Sequence, residues 1–251
     1  MNNSSNILKS FTVKSSLNTE VWDLSNKEPK MKPEVRKRLL EIAYEFFEFL
    51  DIDVFIDDII MTGSLANFNW SKYSDVDMHL IVDFSQFPDE VKELYEKLFN
   101  LKKLIFNENH DIKIKNFEVE LYVQDSTEEH TSSGVYTILF DSWIVKPEKT
   151  KETIDKKILM TKVKSWMNKI DEVMSDAKDS DDLETSKKLL DSFKEKLKEY
   201  RTGGLEKDGE FSYENLVFKF LRRNGYIEKL FDFENQMIDN KLSMKEIRNR
   251  N

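Results

Sequence analysis

The first part of the chain shows patterns of apolar and polar residues that indicate both helices and strands. Apolar residues recur at helical spacing from Pro33 to residue 50, and again over residues 88–101. Clear alternation over residues 75–82 and 117–123 is typical of half-buried strands, and residues 52–61 form a short β-rich run. These patterns predict a mixed sheet flanked by helices.

The pattern changes to helices alone from about residue 151. Two amphipathic stripes cover residues 154–173 and 183–200, and Gly203-Gly204 predicts a break after them. Ser212 predicts the N-cap of a further helix that ends at Gly225, with a final helix behind it. The predicted fold class is therefore α+β, followed by an all-helical C-terminal domain.

Three segments follow from these patterns. Residues 1–30 are rich in Ser, Asn and Lys and predict an extended N-terminal segment, for which Trp22 is the candidate anchor. Residues 31–150 form the predicted sheet domain, and residues 151–251 form the helical domain. Near the boundary, residues 135–145 have two interpretations, one more strand or one arm of a hairpin.

Composition narrows the classes of function. A hydrophobic content of 39% with 18 Phe is enough for a folded core. The formal net charge of −9 argues against binding of long duplex DNA, whose affinity comes mainly from Lys and Arg. The absence of cysteine excludes disulfides and thiolate metal sites. No signal peptide or apolar run of membrane-spanning length is evident, so we expect a cytoplasmic protein that contacts no membrane.

The candidate chemistry begins with a Gly63-Ser64 turn after an apolar strand and continues with Asp75 and Asp77. Side chains two apart on a strand lie on the same face, so the two carboxylates are neighbours. Like charges held side by side repel unless a cation lies between them. The spacing therefore predicts a metal site beside a phosphate-binding turn.

The order of these motifs resembles that of the DNA polymerase β-like nucleotidyltransferase superfamily. The matching residues are the apolar strand with Gly63-Ser64, then Asp75-Val76-Asp77, then a later strand with Val119-Glu120-Leu121. The resemblance covers roughly residues 33–145. It implies Mg²⁺-dependent transfer of a nucleoside monophosphate from an NTP to an acceptor hydroxyl, with release of pyrophosphate.

The resemblance also implies which residues are catalytic and bind metal: Asp75, Asp77 and Glu120. They would hold two Mg²⁺ ions, with Mn²⁺ as an alternative, and Glu120 would help to activate the acceptor oxygen. Hard cations prefer oxygen ligands, and two cations stabilise both the attacking and the leaving oxygen. Glu118 lies on the same strand face, so it stays an alternative to Glu120.

The expected nucleotide-binding residues are Gly63, Ser64, Lys72, Lys219 and Arg222. The glycine lets the backbone approach phosphate, and the serine offers a hydroxyl and an N–H. The three cations are candidates for phosphate contacts, and an ordinary solvated charge is the alternative for each.

Two departures from the family pattern keep other functions open. Asn67 and Asn69 stand where many members carry a basic residue and a glycine, and Glu120 replaces the more common Asp. The first alternative is a catalytically weak or inactive protein of this fold that binds a nucleotide or a nucleic-acid end. The second is an interaction protein whose carboxylates are incidental.

The acceptor stays open as well. An RNA 3′ end, a small hydroxylated metabolite or antibiotic, and a protein side chain are all compatible with the motifs. The acidic balance favours a compact acceptor or a short RNA end over duplex DNA. The segment 210–227 resembles nucleotidyltransferase-like proteins encoded by bacteriophages, which implies the cytoplasm of an infected host.

Overall fold

The structure is a computed structural model that describes residues 2–130, 132–149, 154–180 and 182–243. The chain divides into two compact units. One comprises residues 12–150, and the other combines residues 1–11 with residues 151–251. Helices and a six-stranded mixed sheet are both present, which confirms the α+β class in this general form.

The elements of the described residues are as follows. The helices are α1 (Asn2–Ser10), α2 (Pro33–Leu50), α3 (Lys92–Asn109), α4 (Lys156–Asp179), α5 (Leu183–Asp208), α6 (Tyr213–Arg223) and α7 (Tyr226–Leu242). The strands are β1 (Trp22–Asp23), β2 (Lys30–Met31), β3 (Ile56–Thr62), β4 (Val76–Val82), β5 (Lys113–Ile114), β6 (Phe117–Asp125), β7 (Val135–Thr137) and β8 (Ser142–Val145). None of these helices is long and apolar enough to cross a lipid bilayer.

The larger sheet places the two alternating strands side by side. Its order is β5-β6-β4-β3-β7-β8, with β4 antiparallel to β3 and parallel to β6. The chain between β4 and β6 contains α3, since parallel neighbours need a long connection. The apolar residues of both strands face a core that α2 and α3 complete, including Phe46, Met78, Leu80, Phe99 and Leu121. The polar residues therefore share the opposite face.

The segment 135–145 forms a hairpin rather than a single strand. Tyr136 of β7 pairs with Trp143 of β8, and Asp141 in the turn has a φ of 56°. The guanidinium of Arg36 on α2 donates to the carbonyl oxygens of Ile138 and Leu139, each at 2.7 Å. These contacts satisfy backbone groups of the turn and hold it against α2.

The extended segment expected over residues 1–30 is wrong for residues 2–10, which form α1 in the same unit as the C-terminal helices. Although the segment is mostly polar, α1 has a short apolar face, on which Ile7 is fully buried. Arg223 of α6 donates to the Ser10 hydroxyl at 2.7 Å. The anchor at Trp22 is confirmed: its side chain is buried and stacks on Trp143 at 4.5 Å.

The break expected at Gly203-Gly204 is also wrong, because α5 continues through both residues. A Cβ on Gly204 would lie 2.4 Å from Glu214 Cβ, so this glycine allows α5 and α6 to pack closely. The helix ends instead at Asp208, and the residue that caps it is Gly209, whose φ is 69°. The predicted N-cap at Ser212 is confirmed, since its hydroxyl accepts from the Asn215 N–H at 3.3 Å.

Candidate metal centre

Three carboxylates converge at one end of the β4–β6 pair. Asp77 and Glu120 are direct register partners on these parallel strands, and Asp75 immediately precedes β4. Oxygen atoms of Asp75, Asp77 and Glu120 all lie within 4.8 Å of one another, and the three residues are half-buried. Such a set of oxygen donors could hold a divalent cation, as the sequence predicted.

The structure distinguishes Glu120 from Glu118, which the sequence left as alternatives. Glu118 is exposed, and its carboxylate lies 3.7 Å from the Lys113 ammonium. Two residues along a strand correspond to about 6.6 Å, so only one of the two carboxylates can lie beside Asp77. That residue is Glu120, because it is the partner of Asp77 in the ladder.

The Gly63 turn lies directly against the carboxylates. Thr62 at the end of β3 pairs with Asp77, and Gly63 follows with a φ of 76°. A Cβ at this position would lie 1.8 Å from Asp77 Oδ2. Only glycine fits here, because the turn needs both a left-handed backbone and room for the carboxylate.

Ser64 joins the two halves of the motif. It begins a single 3₁₀ turn, Ser64–Ala66, and its hydroxyl donates to Ser74 Oγ at 2.7 Å. Ser74 Oγ also accepts from the Ser71 N–H at 2.9 Å, within the loop that leads to Asp75. The Gly-Ser turn and the carboxylate strand are therefore connected by hydrogen bonds. A phosphate contact by Ser64 stays a prediction.

Trp22 supports the same turn from the N-terminal side, a role that sequence reasoning missed. Its indole N–H donates to the Leu65 carbonyl oxygen at 2.7 Å. Two other indoles hold the polar segment that contains Trp22: Trp70 donates to Ser16 O at 2.9 Å, and Trp143 donates to Pro29 O at 2.7 Å. The sequence signal was a large aromatic residue in an otherwise polar segment.

Tyr122 is a second residue of the site that sequence reasoning did not assign. Its hydroxyl donates to Glu120 Oε2 at 2.5 Å. Burial, and then the hydrogen bond and charge of Glu120, raise the pKa of Tyr122, so it stays a protonated donor at neutral pH. The Lys103 ammonium lies 4.7 Å from the centre of the Tyr122 ring. The available signal was its position two residues after Glu120 on the same strand face.

His79 lies on this face beside Tyr122, with ring centres 4.8 Å apart. Its Nε2 is 3.3 Å from the Thr62 hydroxyl. Burial lowers the pKa of His79 to about 4, so the ring is neutral at pH 7 and a poor proton acceptor there. The contacts therefore favour a supporting role over a catalytic base.

The expected phosphate-binding cations lie in different parts of the chain. Lys72 is exposed in the loop before β4, with its ammonium 4.8 Å from the centre of the Tyr73 ring. Lys219 and Arg222 are on α6 in the other unit. Burial lowers the pKa of Lys219; the charge of Glu210 opposes this shift, and nearby arginines add to it. Nucleotide contacts by these three residues stay predictions.

Asn67 occupies the position at which many members of the family that these motifs resemble carry a basic residue. Its side chain is buried, donates to the Ser133 hydroxyl and accepts from the Phe68 N–H at 2.7 Å. The asparagine therefore connects the Gly-Ser turn to the loop before β7, and it brings no positive charge to the site.

Replacing Tyr122 by phenylalanine is expected to weaken divalent metal binding roughly tenfold, because Glu120 loses the hydrogen bond that orients it. Titration with Mn²⁺, followed by electron paramagnetic resonance, measures this change. Tyr95→Phe is the matched control, since Tyr95 stacks on Phe87 at 3.9 Å on the apolar side of α3. Equal metal affinity in wild type and Tyr122→Phe would contradict the orienting role.

Comparison with known proteins returns no match to a family model, a curated protein or a solved structure.

Proposed function

We propose that the chain is a metal-dependent nucleotidyltransferase, which transfers a nucleoside monophosphate from an NTP to an acceptor hydroxyl. One observation carries this proposal: three carboxylates from neighbouring β-segments lie within 4.8 Å of one another and directly against a glycine turn. A carboxylate cluster alone would fit many cation sites. The adjoining turn, with backbone that phosphate can approach closely, favours a phosphate-bearing ligand.

The donor set fits Mg²⁺, with Mn²⁺ as an alternative. Asp75, Asp77 and Glu120 supply only oxygen atoms, which hard cations prefer. When bound, two such ions stabilise charge on the attacking and leaving oxygens of phosphoryl transfer. Asp77 Oδ2 lies where a Cβ of Gly63 would be, so the glycine allows this carboxylate to pack directly against the turn.

The other residues position the reacting groups. Backbone at Gly63 and Ser64 would lie along the phosphates, and the hydrogen bond from Ser64 to Ser74 fixes that turn relative to the carboxylate strand. Tyr122 holds Glu120, which is in place to accept the proton of the acceptor hydroxyl. The acceptor oxygen then bonds to the α-phosphorus, and pyrophosphate leaves.

Nucleotide binding without transfer is a second candidate function. It is supported by Asn67, which is buried and hydrogen-bonded within the protein where a phosphate-binding cation is common in the resembling family. Without that cation, the contacts to the phosphates are weaker. We expect this to lower the rate of transfer more than it lowers the affinity for the nucleotide.

Calorimetry and label transfer separate the two functions. Each of the four NTPs is titrated into the full chain with Mg²⁺ and with EDTA, and we expect binding only with Mg²⁺. NTPs labelled at the α-phosphate are then incubated with cellular RNA, metabolites or protein. A labelled acceptor supports transfer, whereas metal-dependent binding without a labelled product supports the second function.

Glu120→Gln provides the matched test of the site in the same assay. Label transfer should fall by about 100-fold or more, because glutamine removes the negative charge that attracts the cation and the carboxylate that accepts a proton. Glu96→Gln, an exposed change on α3, should leave transfer unchanged. Unchanged transfer in Glu120→Gln would contradict the assignment of Glu120 as a catalytic residue.

A further inference from the structure

Helix α3 carries a stripe of exposed apolar residues along one side. Leu94, Leu101 and Ile105 are 63%, 55% and 40% exposed. Leu98, which lies between them, is half-buried. No other described helix leaves more than two large apolar side chains exposed. Single exposed apolar residues are ordinary on a protein surface, whereas a contiguous row of them indicates a site of interaction.

The stripe has the spacing of a coiled-coil seam. Its four residues follow one another at intervals of four, three and four positions, which corresponds to heptad positions d, a, d and a. This spacing is the same in both directions along the helix. A second α3 in antiparallel orientation therefore places Leu94 against Ile105, and Leu98 against Leu101. The surface is complementary to itself, as a two-fold axis requires.

The seam faces away from the rest of the fold. The Asn107 side chain accepts from the Leu121 N–H at 3.3 Å and donates to the Leu121 carbonyl oxygen at 3.2 Å, so this side of α3 covers the open edge of β6. Phe99 and Phe106 are buried in the core. These contact residues lie more than about 100° around the helix from the seam, which is therefore left open to solvent.

The cations beside the seam already have partners within the chain. Lys97 forms an ion pair with Glu93 at 2.6 Å on the same helix. The Lys102 ammonium donates to the carbonyl oxygens of Phe49 and Leu50 at the end of α2. An apolar surface can therefore pack on the seam without burying an unpaired ammonium group.

We propose that the stripe is the contact between two copies of the chain, whose α3 helices pack antiparallel across a two-fold axis between Phe99 and Asn100. In a parallel pair, Lys97 at heptad position g would face Lys102 of the partner subunit at position e, and these like charges would repel. In the antiparallel pair, Lys97 faces the exposed Leu104 of the partner subunit and covers it with its aliphatic stem. The contact is independent of the proposed function, because it involves no nucleotide or metal.

The size of the surface predicts a weak dimer. The exposed parts of the stripe, of Leu104 and of the neighbouring Phe49 correspond to between two and three whole side chains. At roughly 150 Å² for each side chain, they amount to about 350–400 Å² per copy, which is half of an interface of standard size. We therefore expect a dissociation constant in the micromolar range, with exchange between monomer and dimer.

Sedimentation velocity of the full chain, from about 1 µM to about 300 µM, measures the association. We expect a species of 29.9 kDa that converts, with rising concentration, into one of twice that mass. Leu94→Ser with Leu101→Ser should weaken dimerisation at least about tenfold, because every layer of the seam loses one apolar side chain. Wild type that stays monomeric over this range would overturn the proposal.

Ile158→Ser with Leu189→Ser is the matched control, since it makes the same change at two exposed apolar residues of α4 and α5. The control should dimerise as the wild type does. Thermal unfolding of both double variants shows whether each is folded, which we expect because all four side chains are exposed. Equal dimerisation of the α3 variant and the control would contradict the proposed contact.

Cysteine crosslinking tests the antiparallel orientation, because the chain has no cysteine of its own. Leu94→Cys and Ile105→Cys are prepared as separate variants and treated with a short bis-maleimide, alone and mixed. In the antiparallel dimer, the two different positions are neighbours, whereas like positions lie about 16 Å apart along the helix axis. Crosslinked dimer should therefore form only in the mixture. Crosslinking of either variant alone, or none in the mixture, would overturn the antiparallel pair.

Discussion

Replacing Asp75 and Asp77 together by asparagine is expected to abolish metal-dependent NTP binding and to raise the thermal stability of the metal-free protein. Asparagine keeps the shape of the side chain and one oxygen atom, but it removes the charge that attracts a divalent cation. Calorimetric titration with Mg²⁺ and NTP measures the first effect. Thermal unfolding in EDTA measures the second.

The expected gain in stability follows from the distance between the carboxylates. Unit charges at the largest separation in the cluster, 4.8 Å, repel by about 1 kcal/mol at the dielectric constant of water and by about 3.5 kcal/mol at an effective value of about 20. For a chain of this size, a gain of 1 kcal/mol raises the melting temperature by about 2–4 °C. Saturating Mg²⁺ should stabilise the wild type and should leave the double variant unchanged.

The matched control is Asp53→Asn with Asp57→Asn, which makes the same change in net charge at two exposed residues. These residues lie before and at the beginning of β3, whereas the site is at its end. NTP binding should be unaffected by the control. Metal-dependent NTP binding that persists in the Asp75 and Asp77 variant would contradict the assignment of these residues as the metal site.

Gly63→Ala should destabilise the protein by roughly 2–4 kcal/mol and should remove metal binding at the same time. Two costs add at this position. The φ of 76° is unfavourable for alanine, and the new Cβ would lie 1.8 Å from Asp77 Oδ2 and 2.9 Å from Asp77 Cγ. The Asp77 carboxylate must move, so the cluster loses its geometry. Urea unfolding and Mn²⁺ titration measure the two effects.

Gly203→Ala is the control for the glycine substitution. This residue lies inside α5, and a Cβ there has no neighbouring heavy atom within 4 Å. Alanine should therefore stabilise the helix by about 0.5–1 kcal/mol and leave metal binding unchanged. A mild effect of Gly63→Ala, similar to that of the control, would contradict the contact between the turn and Asp77.

Side-chain alternation made the sheet and its carboxylate face predictable. Strict period-two patterns in β4 and β6 place Val76, Met78 and Leu80 in the core, and Asp77 on the opposite face. The same pattern could not separate Glu118 from Glu120, because both lie on one face. The register of β4 against β6 distinguishes the two residues, because it pairs Asp77 with Glu120.

Local composition gave wrong predictions at two places where tertiary packing decides the structure. Polar composition predicted an extended N-terminus, yet α1 forms because it can bury Ile7. The glycine pair predicted a break in α5, yet Gly204 serves a close contact with Glu214. The partner of α1 is distant, since Ser10 and Arg223 are 213 residues apart, and the Gly204 contact depends on how α6 packs against α5, so local propensity indicates neither.

The sequence by itself determined the chemical types at the site: a glycine turn, two aspartates on one face and a later glutamate, in strands with an apolar core face. These follow from backbone periodicity and from the steric freedom of glycine, which are local properties. Only the tertiary structure decided which glutamate pairs with Asp77 and that Tyr122 donates a hydrogen bond to it. Those features depend on register and on packing between distant segments, which the order of residues does not display.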